Sequence, residues 1–239
     1  MRSSEPFKFY DGIVAVPLLF IFLIWGVYWF EIRFGYDFTT AGVYPKTLSG
    51  LKGVIFSPFI HSSLRHLYNN TFPLLILLSA LLYFYSRISL KVIFYGILLS
   101  GLLTWSFARE AYHIGASGLI YVLVSFIFFK GVFTGYYRLI ALSMIVVFLY
   151  GSLLWYIFPV DNDISWEGHL SGFITGLFLA IVFKQKLPET RKYKWEETTF
   201  NEDADPFLQH FDEDGNFIPE SEWLQRKRME KEHKTNDKD

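Results

Sequence analysis

The chain has 239 residues, of which 52% are hydrophobic and 20% aromatic, and a formal charge of −1. Having no cysteine, it holds no disulfide, zinc–thiolate site or cysteine nucleophile, and the lack of a dense basic patch gives no sign of nucleic-acid binding. Mean hydropathy is +0.27 although residues 185–239 are mostly polar and charged, so apolar residues concentrate in 13–184, as in a membrane protein.

A helix that crosses a bilayer needs roughly 20 apolar residues. The sequence predicts six such segments, at about 13–30, 64–85, 90–108, 115–134, 138–158 and 167–184. They must be helices, because lipid offers the backbone no hydrogen-bond partner. The period-two alternation of an outer-membrane barrel is absent.

Arg2 and Lys8 before the first segment resemble the basic head of a signal peptide. The apolar run is too long for one, and no cleavage site follows it, so the sequence predicts a retained helix. The loop 31–63 is long and mixes turn residues with apolar ones ("GVYPKTLSGLKGVIFSPFIH"), as a segment lying partly in the membrane interface would.

The second segment opens with "HSSLRHLYNN". His66 and Asn70 are four apart and share a helix face, with His61 a turn or more before them. Taken alone, such a pair ties one membrane helix to another. Asn69-Asn70-Thr71 also matches a glycosylation sequon, but its place inside the bilayer argues against modification.

The fourth segment opens with "HIGASGLIY". Gly115, Ala116 and Gly118 leave room for a close neighbour around Ser117, and Tyr121 follows on the same face. Alone, this too reads as helix packing. His113, four residues before Ser117, is expected to be a solvated or entrance residue in the preceding loop. From Gly115 to Lys130 the helix runs only about 22 Å. That is shorter than the bilayer core and predicts a water-filled hollow above Ser117. The fifth segment and the loop 159–166 ("PVDNDISW") are candidates for gate and cap.

The sixth segment begins "GHLSGFITG": His169 heads a face that carries Gly172 and Gly176. The tail, 185–239, reads as a charged, largely flexible cytoplasmic segment with a short helix near 219–232. Its "FDEDGNF" resembles a calcium loop, but His210 stands where an acid is required.

Lysine and arginine near helix ends set orientation. Arg2, Lys8, Arg87, Lys91, Lys130, Arg138 and the basic residues from Lys184 onward fall on one side. That side is predicted to be cytoplasmic and to hold both termini. Helices two, four and six then start from the outer face, and with them all three polar clusters.

Together the clusters supply a chemistry that none supplies alone. A serine needs a base in hydrogen-bond reach to act as nucleophile, and His169 serves if helices four and six touch. Asn70, His66 and the Ser117 backbone N–H offer donors for an oxyanion. On these residues the chain resembles the rhomboid intramembrane serine proteases over about 13–184. The family's helix-two pattern falls on His61, His66 and Asn70, and its G-x-S-G on Gly115, Ser117 and Gly118. Its sixth-helix histidine with G-x-x-x-G falls on His169, Gly172 and Gly176.

The resemblance implies an all-α, six-helix rhomboid-like bundle with a long first outer loop, and a Ser117–His169 dyad without a third, acidic member. It also implies an oxyanion site at His66 and Asn70, Tyr121 beneath the His169 ring, and a supporting role for His61. Asp161, Asp163 and Glu167 are expected in a wet loop. No metal or cofactor is implied. The partners would be the lipid bilayer and transmembrane protein substrates, cut near the outer face of the plasma membrane. The Trp-Arg pair that many members carry in the first outer loop is missing here, which leaves that loop's packing open. Two rivals stand beside the protease: an inactive relative that escorts membrane clients, and a histidine-lined transporter, for which inner polar partners are sparse. An H-E-x-x-H metalloprotease is excluded by the absence of its motif.

Overall fold

The computed structural model describes residues 7–160, 164–184, 193, 195, 198–201 and 205–236, with side chains through 229. Among the described residues, six long helices dominate the first of two compact units, Met1–Pro188, with a further short one at Gly53–Phe56. The six are α1 Gly12–Phe34, α2 Leu64–Phe84, α3 Ser89–Phe107, α4 Ser117–Thr134, α5 Tyr137–Tyr150 and α6 Trp166–Val182. Three of them, α1, α2 and α3, are long and apolar enough to cross a membrane, as are α4 and the stretch Tyr137–Ile157. Helix α6 is equally apolar but has 17 residues. The segment expected at 138–158 is not one α-helix: it tightens into a 3-10 helix over Gly151–Ile157.

Helix α4 is the central element. Leu119, Ile120, Tyr121, Val122, Leu123, Phe126 and Ile127 are all buried, so from Leu119 to Ile127 it has no outward face. Helices α2, α3, α5 and α6 surround it, α1 packs on α2, and apolar side chains turn outward, among them Phe22 on α1, Leu90 on α3, Phe148 on α5 and Ile181 on α6. An outward apolar surface of this extent has no stable place in water, and marks an integral membrane protein.

Small residues bring α6 against α4. A Cβ at Gly172 would lie 2.2 Å from the Gly118 carbonyl oxygen, and one at Gly176 would lie 2.4 Å from that of Val122. At the other end, Lys130 of α4 is buried and donates through Nζ to the carbonyls of Ala180 (2.9 Å) and Phe183. It thereby satisfies carbonyls that the end of α6 leaves without helical partners.

Residues 35–63 fold onto α3 instead of hanging free. Lys46 N–H donates to the Trp105 carbonyl at 3.0 Å, and Trp105 Nε1 donates back to Thr47 O at 2.8 Å. Val43 and His113 exchange both backbone hydrogen bonds. The loop crosses itself so tightly that a Cβ at Gly50 would lie 1.9 Å from Tyr44 O. These contacts pack the loop without a Trp-Arg pair.

The second unit, Glu189–Asp239, contains a hairpin-like pairing of Phe211 with Phe217 and helix α7, Glu220–Asn236. Asp212 Oδ1 accepts from the backbone N–H groups of Asp214 and Asn216, which closes the turn. The helix expected near 219–232 is present and runs slightly longer.

Candidate functional site

Ser117 is the first residue of α4, half-buried, and His169 lies in the first turn of α6. His169 Nε2 stands 3.0 Å from Ser117 Oγ. Its other nitrogen, Nδ1, is 3.0 Å from the Tyr156 carbonyl oxygen. A carbonyl only accepts, so Nδ1 carries the proton of the neutral ring and Nε2 presents a lone pair to the serine hydroxyl. That is the tautomer a general base requires. The Tyr121 ring lies stacked on His169, with centroids 4.3 Å apart and planes at 15°. The Tyr121 hydroxyl donates to the Leu153 carbonyl at 2.6 Å. The 3-10 segment thus supplies two carbonyls that hold the histidine and its platform in place. Sequence reasoning had no access to either, because a backbone acceptor has no residue signature.

Gly115 has φ +106, a backbone geometry that glycine adopts without strain. A Cβ there would also strike the His66 ring, 2.6 Å from Nε2. Glycine at this position therefore lets the chain turn into α4 and lets His66 approach the turn. His66 lies at the head of α2, where Ser63 caps the helix by accepting from the His66 N–H at 3.1 Å. Its Nδ1 is 3.3 Å from Ser62 Oγ. Asn70 is buried one turn on and donates to the His66 carbonyl at 2.9 Å. His61 meets His66 edge-on at 5.0 Å. Burial, reinforced by His66, pushes the pKa of His61 down to about 3.

Gly118 is different from its neighbours. A Cβ there would meet Gly168 O at 3.6 Å and Ser100 Oγ at 4.0 Å, ordinary contacts. Beside Ser117 lies a small cavity, lined among others by Ser57, Ser100, Thr104, His113 and Ser165. Its walls are part apolar, with Val43, Val54 and Ile97, and part hydroxyl, and the hydroxyls offer partners to a water.

Two expectations are corrected. His113 is not solvated: it is 5% exposed, with Nδ1 2.6 Å from Ser165 Oγ and Nε2 3.0 Å from the Arg109 carbonyl. Burial pushes its pKa below the ordinary value, opposed by the Arg109 carbonyl and Glu167. Glu167 is not in a wet loop: it is 2% exposed in the first turn of α6, with Oε1 3.7 Å from Arg109 Nε. The short loop 108–116 folds back over the start of α6 and shields both from bulk solvent. Asp161 and Asp163 lie outside the described residues.

Fold and site together define a helical integral membrane protein with a serine–histidine pair at the starts of two packed helices. The sequence pattern of the rhomboid domain matches residues 49–186, more than half of the chain, which therefore belongs to the rhomboid family. It is similar to uncharacterized proteins of Mycobacterium bovis and Mycobacterium tuberculosis. Each is 34% identical over 188 residues, which cover 74% of this chain and 78% of theirs. An uncharacterized protein of Mycobacterium leprae is 34% identical over 154 residues, 60% of this chain and 61% of its own.

Proposed function

We propose that this rhomboid-family protein is an intramembrane serine endopeptidase, with Ser117 as nucleophile and His169 as general base. The observation that carries the reading is the 3.0 Å contact between Ser117 Oγ and His169 Nε2, with the opposite ring nitrogen donating to Tyr156 O.

His169 takes the hydroxyl proton as Oγ attacks a peptide carbonyl, then delivers it to the leaving amine. A water held in the cavity beside Ser117 then hydrolyses the acyl-enzyme, activated by the same ring. The oxyanion is received by His66, Asn70 and the Ser117 N–H. When the Ser62 hydroxyl donates to His66 Nδ1, Nε2 carries the proton and faces the site above Gly115. Asn70 uses one amide hydrogen on His66 O and keeps the second. The Ser117 N–H is free because it opens its helix.

In this reading α6 is a sixth crossing, both termini are cytoplasmic, and the site opens to the outer face. The substrates are transmembrane proteins, locally unwound at small residues before cleavage.

The test is a fluorophosphonate probe and a single-pass model substrate offered to purified protein. Labelling at Ser117, with cleavage lost in Ser117→Ala and in His169→Ala, is the expected result. Cleavage that survives Ser117→Ala would sink the reading. A wild-type protein that never cleaves, yet retains a membrane client as well as Ser117→Ala does, would point to an escort.

A further inference from the structure

The loop that leads into α4 and the loop that leads into α6 are tied together by side chains at matching positions. His113 stands four residues before Ser117, and Ser165 stands four before His169. Their contact, at 2.6 Å, joins these two segments one turn before the contact of Ser117 and His169 does.

The protons of this link have one consistent arrangement. Arg109 O only accepts, so His113 Nε2, 3.0 Å away, carries the ring proton. Nδ1 is then an acceptor, and the Ser165 hydroxyl donates to it. The same Ser165 Oγ accepts from the Gly168 N–H at 3.2 Å and so caps α6. A relay runs from the end of α3, through His113 and Ser165, into the first turn of α6, one residue from His169. Arg109 braces it from outside, with Nη2 donating to Ile164 O at 2.9 Å.

On its other side, the His113 backbone pairs with Val43 through both N–H and C=O, and Gly115 N–H donates to Ser57 O. The segment 113–116 is therefore held from two directions immediately before Ser117. Neither His113 nor Ser165 touches the reacting atoms.

We propose that His113 and Ser165 are positioning residues that hold Ser117 and His169 at reacting distance by clamping the start of α4 to the first turn of α6. The inference rests on the protease reading above. A loosened clamp leaves the substrate site intact and degrades the alignment of nucleophile and base, so it lowers kcat and leaves KM in place. Misalignment of about an ångström costs on the order of a hundredfold in rate.

The experiment uses the full-length protein, with Ser117 labelling by a fluorophosphonate and cleavage of a single-pass substrate as paired readouts. His113→Phe fills the space but offers neither hydrogen bond. It should label and cleave roughly 10- to 100-fold more slowly, with KM unchanged. His113→Gln can accept from Ser165 and donate to Arg109 O with one neutral amide, and should keep the rate within about threefold. Ser165→Thr keeps the hydroxyl and should behave likewise, whereas Ser165→Ala should fall with His113→Phe. The double variant His113→Phe/Ser165→Ala should be no slower than the worse single one, because both remove one link.

Melting temperatures separate loss of rate from loss of fold. A folded His113→Gln as slow as His113→Phe overturns the clamp. So does a His113→Phe with wild-type kcat, or an additive double variant. Wild-type protein that neither labels nor cleaves overturns the protease reading, and the clamp falls with it.

Discussion

At the scale of single residues, the His169 ring is held by three different forces, and they can be separated. Stacking on Tyr121 fixes its plane, the Tyr156 carbonyl fixes its tautomer, and the Tyr121 hydroxyl anchors the platform to Leu153. Tyr121→Phe keeps the platform and orphans one carbonyl. It should cost about 1–2 kcal/mol of stability and little activity. Tyr121→Ala removes the platform, and kcat should fall about a hundredfold as the ring loses its orientation. Equal rates for the two variants would mean that stacking does not set the geometry. That Ser117, His169 and Tyr121 would meet was legible because the family resemblance rests on motifs at the starts of the two helices that carry them. The Tyr156 and Leu153 carbonyls were not, since any residue could supply them. His113 was misread because a polar residue in a short loop next to a turn is usually wet. Loop 35–63, through Val43, and the start of α6, through Ser165, cover it.

His61 gives a second test at this scale. Its pKa falls from the ordinary 6.5 to about 3 through burial, first, and then the neighbouring His66. Below pH 6.5 the unfolded chain takes up a proton that the folded protein refuses. The contribution of His61 is therefore complete above pH 6.5 and is lost as pH falls toward about 3, by about 1.4 kcal/mol for each pH unit. The melting temperature of detergent-solubilised protein should decline over this window. His61→Asn should decline less steeply, and equal slopes would exclude His61 as a cause.

At the scale of elements, the glycines on α6 and α4 differ in what they permit. Gly172 and Gly176 lie where a methyl group would collide with the α4 backbone at 2.2 and 2.4 Å. Neither backbone can yield without moving a helix. Gly172→Ala should therefore push α6 away from α4, lengthen the Ser117–His169 contact and abolish labelling. Gly118→Ala meets only ordinary contacts and should leave both fold and labelling by a small probe in place. The motif alone would rank all three alike, because spacing tells which face a glycine occupies and not how close its neighbour comes.

Lys130 marks the opposite end of the same helix pair. The sequence identified it as a marker of the inner helix end, but not as the donor to the last carbonyls of α6. Lys130→Met leaves those carbonyls unpartnered in an apolar setting and should cost roughly 1–3 kcal/mol for each. The expected result is a lower melting temperature with Ser117 labelling retained at low temperature, because the dyad lies at the far ends of α4 and α6. A break in the predicted helix 138–158 was also not visible in hydropathy. The stretch through Ile157 stays apolar enough to cross a membrane, and hydropathy does not distinguish an α-helix from a 3-10 turn.

At the scale of the whole molecule, the proposed orientation follows from charge and the proposed chemistry from depth. The starts of α2, α4 and α6 converge on one end of the bundle, as the contacts of Gly115 with His66 and of Ser117 with His169 require. Loop 35–63 lies at that same end, tied to His113 and Gly115. If the basic side is cytoplasmic, this loop and the site share the outer face. The chain has no cysteine, so single cysteines report position without any background. Leu48, 86% exposed on the loop, and Ser221 in α7 are suitable places. In intact cells a membrane-impermeant maleimide should label Leu48→Cys and spare Ser221→Cys until the membrane is permeabilised. The reverse pattern would place the serine–histidine pair on the cytoplasmic face and require a different class of substrate ends. Labelling of both in intact cells would mean an even number of crossings between them. That would remove α6, the helix that carries His169, from the count of spanning helices.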